Sequence, residues 1–466
     1  MVAHKKPVGR QPRRRPRAAP LHINLGIDFG TSFTKVCYRD VGRGESGIVP
    51  FGRGTLDAAC LPSIVQMDRD GTIVRANTKT VREPLVTHEY LKMRIADAPL
   101  SNTVLSRTSD GDDGIRTAMA LSAYFLASVI RRSQRWILGH ETNRTKGREV
   151  EWSANVGVPV EYFDSPLIER FRRVLAVAWK IADDRRHPRT LQGLCARFDE
   201  YDQRVDLEMT DCHATPEIAA AIHSFIMSRS AVPGVYIYFD VGGGTVDGVG
   251  FDYANNTGER RVNFYSGRVR PYGVAAFAQQ ISAATNKRFR TVEKALLGET
   301  RIADLRTPMD PYENKVRRLV GYVVMTAKEK DPRDWRRDVF QRPMEGARLL
   351  LPIDDESIQP LPIFVGGGGA SSKWYRQTIN SMWARAHKNA GIPRYAIMTV
   401  PAPSDLEMNG LHDGEFHRFA IAYGLSIPVG EGAEVGLPSE FDKAAPSRRK
   451  RPVHGVSYED SKDAWD

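Results

Sequence analysis

The chain has 466 residues, 41% of them apolar and 26% charged, the balance of an ordinary globular protein and not of a disordered or membrane-embedded one. Its formal net charge of +11 is concentrated in short runs, which limits what charge alone says about the folded body. No stretch approaches the roughly 18 to 20 apolar residues that span a bilayer, and the N-terminus lacks the apolar core of a secretory signal, so a cytoplasmic protein, not transmembrane, is expected.

A basic arm comes first: Lys5, Lys6, Arg10, Arg13, Arg14, Arg15 and Arg17 precede any acid, with proline interleaved. Residues 1–20, and 433–466 with the run Arg448 to Arg451, read as disordered tails, because blocks of like charge repel and do not fold. They suit contact with nucleic acid or another anionic surface, or serve only to solubilise. His22 to Asp28 and Phe33 to Arg39 read as strands joined by the turn Phe29 to Ser32. A second hairpin is signalled by Ser63 to Met67, the turn Asp68-Arg69-Asp70-Gly71, and Thr72 to Arg75. Residues 99–114, rich in Ser, Asp and Gly, predict a loop, and the spacing of Leu121, Tyr124, Phe125, Val129 and Trp136 predicts a helix over Thr117 to Leu138.

A strand over Val150 to Val160 leads through Asp164-Ser165-Pro166 into a helix from Leu167 to Ile181. The polar, charged residues 182–204 read as an insertion, followed by a strand Val205 to Met209 and a helix beginning near Pro216. Strands are again expected at Val235 to Val241, Val246 to Tyr253 and Arg261 to Tyr265. The order of elements suggests one α/β unit used twice, with no legible sequence repeat. Cys37, Cys60, Cys195 and Cys212 show neither zinc-knuckle pairing nor disulfide density and read as reduced thiols.

Three glycine-rich segments carry the chemistry. In Ile27-Asp28-Phe29-Gly30-Thr31-Ser32-Phe33-Thr34-Lys35, Gly30 lets a tight turn bring backbone N–H groups and the Thr31 and Ser32 hydroxyls to a phosphate, with Asp28 at the strand end near a metal's water shell. In Phe239-Asp240-Val241-Gly242-Gly243-Gly244-Thr245-Val246-Asp247, three glycines permit close approach to a polyphosphate, Asp240 supplies a carboxylate and Thr245 a hydroxyl. In Ile363-Phe364-Val365-Gly366-Gly367-Gly368-Gly369, a strand runs into four glycines against which a purine can lie.

In order and spacing, these segments resemble the first phosphate loop, second phosphate loop and adenosine loop of the superfamily that holds actin, sugar kinases and the seventy-kilodalton heat-shock chaperones; a Walker lysine motif is absent. Leu61-Pro62-Ser63-Ile64-Val65, Asn155-Val156-Gly157-Val158-Pro159-Val160, Pro216-Glu217 and Phe419-Ala420-Ile421-Ala422-Tyr423-Gly424 resemble elements of the chaperone branch, over roughly residues 22 to 430. The resemblance implies an α/β protein with the two-lobed actin-like ATPase fold, built of duplicated ribonuclease-H-like domains. Lobe I is expected over 21–232, with an outer subdomain near 55–116, and lobe II over 233–432, with an outer subdomain near 285–350.

It further implies ATP or ADP and Mg²⁺ as ligands. Asp28, Glu217 and Asp240 would surround the ion through its waters. Gly30, Thr31, Ser32, Gly242, Gly243, Gly244 and Thr245 would hold phosphate, and Gly366, Gly367, Gly368 and Gly369 the adenosine. Glu217 or Asp240 would orient the attacking water. Lys92 resembles the chaperone branch's catalytic lysine and Lys35 the phosphate lysine of actin-type members, and both stay open. Arg317, with Glu313 and Arg318, is an approximate counterpart of the charged helix that chaperones set against adenine. The insertion 182–204 has no place in the family outline, and the chain stops about forty residues after Gly424, so a peptide-binding domain like the chaperones' is not expected. The expected function is an ATPase module whose lobe closure a protein partner reads. The alternative is a self-associating filament ATPase that positions DNA or cargo; a small-molecule kinase ranks last.

Overall fold

The computed structural model of the protein describes residues 19–52, 55–76, 86–96, 112–256, 258–299, 306–336 and 358–442. The basic runs of both tails, and the predicted 99–114 loop up to residue 111, lie outside the described residues.

In chain order, β1 (Leu21–Phe29), β2 (Phe33–Asp40) and β3 (Glu45–Ile48) form an antiparallel meander, and β4 (Leu61–Pro62) pairs back onto β2. β5 (Val65–Met67), β6 (Ile73–Ala76) and β7 (Val86–His88) make a separate three-stranded sheet. β8 (Val150–Val158) joins β1 in parallel, and β9 (Cys212–Pro216) joins β8 in parallel.

The second half repeats the plan. β10 (Gly234–Val241), β11 (Val246–Asn256) and β12 (Glu259–Arg270) form the meander, while β13 (Leu361–Gly366) and β14 (Tyr395–Met398) add parallel strands on the far side of β10. β15 (Leu406–Glu407) crosses back to pair with β3, and β16 (Glu434–Gly436) extends the second sheet beside β12. Both large sheets therefore share one strand order: third, second, first, fourth, fifth. The duplication suspected from element order is present as topology.

Strand alternation determines which way each central strand faces. In β1, Leu21, Ile23, Leu25, Ile27 and Phe29 join the core beneath the helices Asp112–His140 and Leu167–Asp183. The other face carries Asn24, whose amide donates to the Ser426 carbonyl at 2.9 Å, then Gly26 and Asp28. In β10, Val235, Ile237, Phe239 and Val241 face the helices Val274–Thr285, Arg306–Lys330 and Lys373–Met382. Tyr236 and Tyr238 face a third core containing the short helices Glu217–Ala221, His223–Ile226 and Ala420–Leu425. Asp28 and Asp240 thus end their strands on the face turned to this central layer, which brings them together.

Three expectations are corrected and a fourth is filled in. Val205 to Met209 is no strand: Asp206 accepts from the Glu208 amide at 3.0 Å and closes a 3₁₀ turn over Leu207–Met209, and the strand is Cys212–Pro216. Residues 182–204, read as an insertion, are ordered: the helix Leu191–Asp202 buries Leu194 and Phe198 in the first core, and Thr190 bridges to Thr72 just before β6. Glu434–Gly436, assigned to the C-terminal arm, hydrogen-bonds along β12 as β16. The helix Arg306–Lys330, assigned to an outer subdomain, packs Val320, Val323, Val324 and Ala327 into the core of the second sheet. All four cysteines are free thiols. Among the described residues no helix is long and apolar enough to cross a membrane.

Candidate functional site

The two central strands end at a shared cleft. Asp28, Gly30, Thr31, Ser32 and Lys35 line it from the first sheet; Asp240, Gly242, Gly243, Thr245 and Asp247 line it from the second. Lys92, Glu217, Gly367 and Gly368 line it too, whereas the predicted Gly244, Gly366 and Gly369 do not.

Each loop has a local cause. The first is pinned by Ser63, whose hydroxyl donates to the Gly30 carbonyl at 2.7 Å and whose amide donates to the Ser32 carbonyl at 3.0 Å. The second caps a helix: the amides of Val274 and Ala275 donate to the Gly242 and Gly243 carbonyls at 3.0 and 2.7 Å, and Gly273 donates to Gly244 at 3.2 Å. In a trans peptide the next N–H opposes the carbonyl, so the amides of Gly243, Gly244 and Thr245 turn away from that helix. The two phosphate-type loops also meet face to face. A Cβ on Gly243 would stand 2.4 Å from Ser32 Oγ, and one on Gly244 2.4 Å from Thr31 Cγ2, so neither position has room for a side chain. In the third loop Gly367 has φ +80°, and its amide donates to the His417 carbonyl at 3.2 Å. The amide of Gly369 donates to the Val241 carbonyl at 2.8 Å, tying this loop to the end of β10.

Charge in the cleft is unbalanced. Lys35 pairs with Asp28, and Lys92 pairs with Glu217; all four side chains are largely enclosed. Burial works against the Lys35 ammonium but is outweighed by Asp28, so Lys35 holds its proton more firmly than usual. Glu217 is pushed up by burial, only partly offset by Lys92. Asp240 and Asp247 have no such partner: Asp240 Oδ1 and both Asp247 carboxyl oxygens are buried and accept no hydrogen bond among the described residues. Burial, then the neighbouring Asp28, pushes Asp240 up to about 7. Burial, then Glu217 and Asp240, holds Asp247 well above the carboxylate range. Stranded acids of this kind are costly and mark functional sites more often than structural ones.

Both candidate lysines are therefore in the cleft, each on a different acid. Arg317 is elsewhere: it bonds to Glu313, to Asn314 at 3.1 Å and to Ser381 at 3.4 Å, and it does not line the cleft. Gly366 lies one step back, its Cα against the Tyr238 ring.

Residues not assigned a role from sequence also line the cleft: Phe33, Cys60, Pro159, Asp247 and Arg418. Asp247 was legible as the acid that follows Gly-Gly-Gly-Thr-Val. Arg418 is far along the chain, in a 3₁₀ turn where it pairs with Glu415 at 2.7 Å, and nothing local in the sequence marks it. Gly273 carries a signal in hindsight, a lone glycine before an apolar helix; a Cβ there would meet the Gly243 carbonyl oxygen at 2.5 Å. Comparison with known protein families finds no family model that matches the chain, and comparison with curated proteins finds no match.

Proposed function

We propose that this chain is a magnesium-dependent ATPase with the two-lobed fold of the actin-like superfamily, and that closure of its cleft around ATP is read by a partner protein. One observation carries the reading: two strand-end aspartate–glycine loops, from two sheets of identical strand order, converge on a single cleft with Lys35 and Lys92 beside them.

The side chains fit a divalent cation. Lys35, Lys92 and Arg418, the last paired with Glu415, face four carboxylates, and the oxygens of Asp240 and Asp247 that accept no hydrogen bond among the described residues suit a cation or its waters. Asp28, Glu217, Asp240 and Asp247 would hold Mg²⁺ through its water shell, which this ion sheds reluctantly. Among the described residues no three carboxylate, histidine or cysteine side chains are spaced to grip an ion directly. Once bound, the ion supplies neutralisation of polyphosphate charge.

The chain's own groups do the rest. The amides of Gly243, Gly244 and Thr245 and the hydroxyls of Thr31, Ser32 and Thr245 donate to phosphate oxygens, while Gly367 and Gly368 flank the adenosine. Lys35 and Lys92 offset charge on the transferring phosphate, where positioning and electrostatics do most of the catalytic work. Glu217 or Asp240 accepts a hydrogen bond from the attacking water; a carboxyl whose affinity for protons is raised is better suited to take its proton. Behind the Glu217–Ala221 helix lies a second, apolar concavity lined by Ala219, Ala220, His223, Ile427 and Val435, so a shift of Glu217 is felt on a surface open to a partner.

Hydrolysis of ATP by purified protein, dependent on Mg²⁺ and lost in Glu217→Ala, tests the reading; hydrolysis that survives chelation of the metal would refute it. The filament alternative is favoured by one observation, the position of Lys35 in the cleft on Asp28. ATP-dependent sedimentation in the parent and its loss in Thr245→Ala would favour that alternative.

A further inference from the structure

The segment after the helix Leu167–Asp183 takes no part in the cleft, yet it gathers charge. Arg131 and Arg135 stand one turn apart on the helix Asp112–His140, Lys180 lies in the last turn of the Leu167–Asp183 helix, and Arg185, Arg186 and Arg189 follow in the connecting loop. The loop is folded against the first helix, because the Arg131 guanidinium meets the His187 ring. Five of these six cations are exposed, and Arg131 is half-buried.

Little on this face offsets them. Asp184 is held by Arg197 and by the Tyr201 hydroxyl at 3.0 Å, and its Oδ1 accepts from the Arg186 amide at 3.2 Å. Asp183 faces Lys180. Among the described residues Arg135, Arg185, Arg186 and Arg189 form no ion pair. Burial, then the nearby Arg135, disfavours the charged form of Arg131, with Tyr124 and Asp184 offsetting part of the effect. Like charges held this close on two packed helices and an anchored loop cost stability, and an external polyanion removes that cost.

We propose that this arginine face binds the phosphate backbone of double-stranded nucleic acid without reading its sequence. Guanidinium forks match phosphate oxygens in pairs, which favours phosphate over a diffuse acidic surface. A single strand is disfavoured: Trp136, beside Arg135, is already stacked on His140 with ring centroids 4.3 Å apart, and Tyr124 and Trp179 on the same two helices pack against the first core. A bilayer is disfavoured too. On the helix Asp112–His140, Leu138 is the one large apolar side chain exposed among the described residues, and the Leu167–Asp183 helix and the 184–189 loop expose none, too few for an interfacial anchor. The proposal is independent of the ATPase reading.

Fluorescence anisotropy with a labelled DNA duplex of arbitrary sequence tests it on the full chain. The variant Arg185→Glu/Arg186→Glu/Arg189→Glu is compared with Arg13→Gln/Arg14→Gln/Arg15→Gln, which weakens the basic arm instead. The parent is expected to bind, and the face variant to lose at least about ten-fold in affinity at low salt, with the slope of log K against log salt falling by about 2 to 3. The arm variant should keep most of that slope. Should the charge reversals unfold the protein, Arg135→Gln/Arg189→Gln gives the same comparison with a slope reduced by about 2. Three results would overturn the proposal: no duplex binding by the parent, parent-like affinity and slope in the folded face variant, or equal binding of the parent to phosphatidylserine vesicles that the face variant also loses.

Discussion

Lys92 and Glu217 meet inside the protein, and neither charge is tolerable there alone. Lys92→Ala leaves the Glu217 carboxyl buried and unpaired, and is expected to cost about 3 kcal/mol in denaturant unfolding of nucleotide-free protein. Lys92→Met/Glu217→Gln should cost less than Lys92→Ala, since no orphan charge remains; an equal or greater loss would mean that the pair is a net stabiliser and not a strained functional pair. Asp240 makes the complementary case. Its carboxyl binds a proton up to about pH 7 in the folded state and to about pH 4 when unfolded. Between these values the folded state binds more protons, so the Asp240 contribution to stability falls as pH rises and the penalty is complete above about 7. Asp240→Asn should therefore raise the melting temperature at pH 8 in metal-free protein and leave it unchanged near pH 4. A melting curve that shifts equally at both values would show that titration of Asp240 is not the cause.

Elements reach the cleft through close backbone packing, and Gly424 is the tightest case. In the helix Ala420–Leu425 a Cβ at this position would stand 1.9 Å from the Ala220 carbonyl oxygen, on the helix that begins with Glu217. No side chain can rotate away, so Gly424→Ala is expected to destabilise by about 3 kcal/mol and to displace Glu217, lowering ATP hydrolysis more than ATP binding. Unchanged kcat with unchanged stability would refute this coupling. Much of the element plan was legible because apolar runs such as Val235 to Val241 are bounded by glycines, and the loops themselves announce Asp28, Asp240 and Thr245. Legibility failed where the local pattern imitates another structure. Val205-Asp206-Leu207-Glu208-Met209 alternates like a strand, but the Asp206 side chain captures a backbone amide two residues on and turns the chain. Arg317 lies outside the cleft lining for a different reason: its position is set by the Val316, Val320 and Val323 stripe that packs its helix on the second sheet. Arg418 and Pro159 enter the cleft from distant segments, which only the assembled sheets bring together.

Across the whole molecule, the two sheets are linked at the edge of the cleft by Glu161. It follows Pro159, which lines the cleft, and its carboxylate accepts from Arg268 at 3.0 Å and from the Val269 amide at 2.6 Å, with Arg270 at 3.5 Å. If the cleft closes around ATP as proposed, a carboxylate shared between the sheets would act as a latch, since closure around a ligand is the usual motion of a bilobed site. Glu161→Ala is expected to speed ATP release by about ten-fold, equivalent to about 1.4 kcal/mol, in a stopped-flow chase with labelled nucleotide; an unchanged release rate would show that the latch plays no part. The proposed function rests on the cleft binding Mg·ATP. Isothermal titration of the full chain with ATP, in Mg²⁺ and again with the metal chelated, measures that directly. Binding in Mg²⁺ that is lost on chelation and in Asp240→Ala is the predicted result; no binding by the parent, or equal binding by Asp240→Ala, would contradict it.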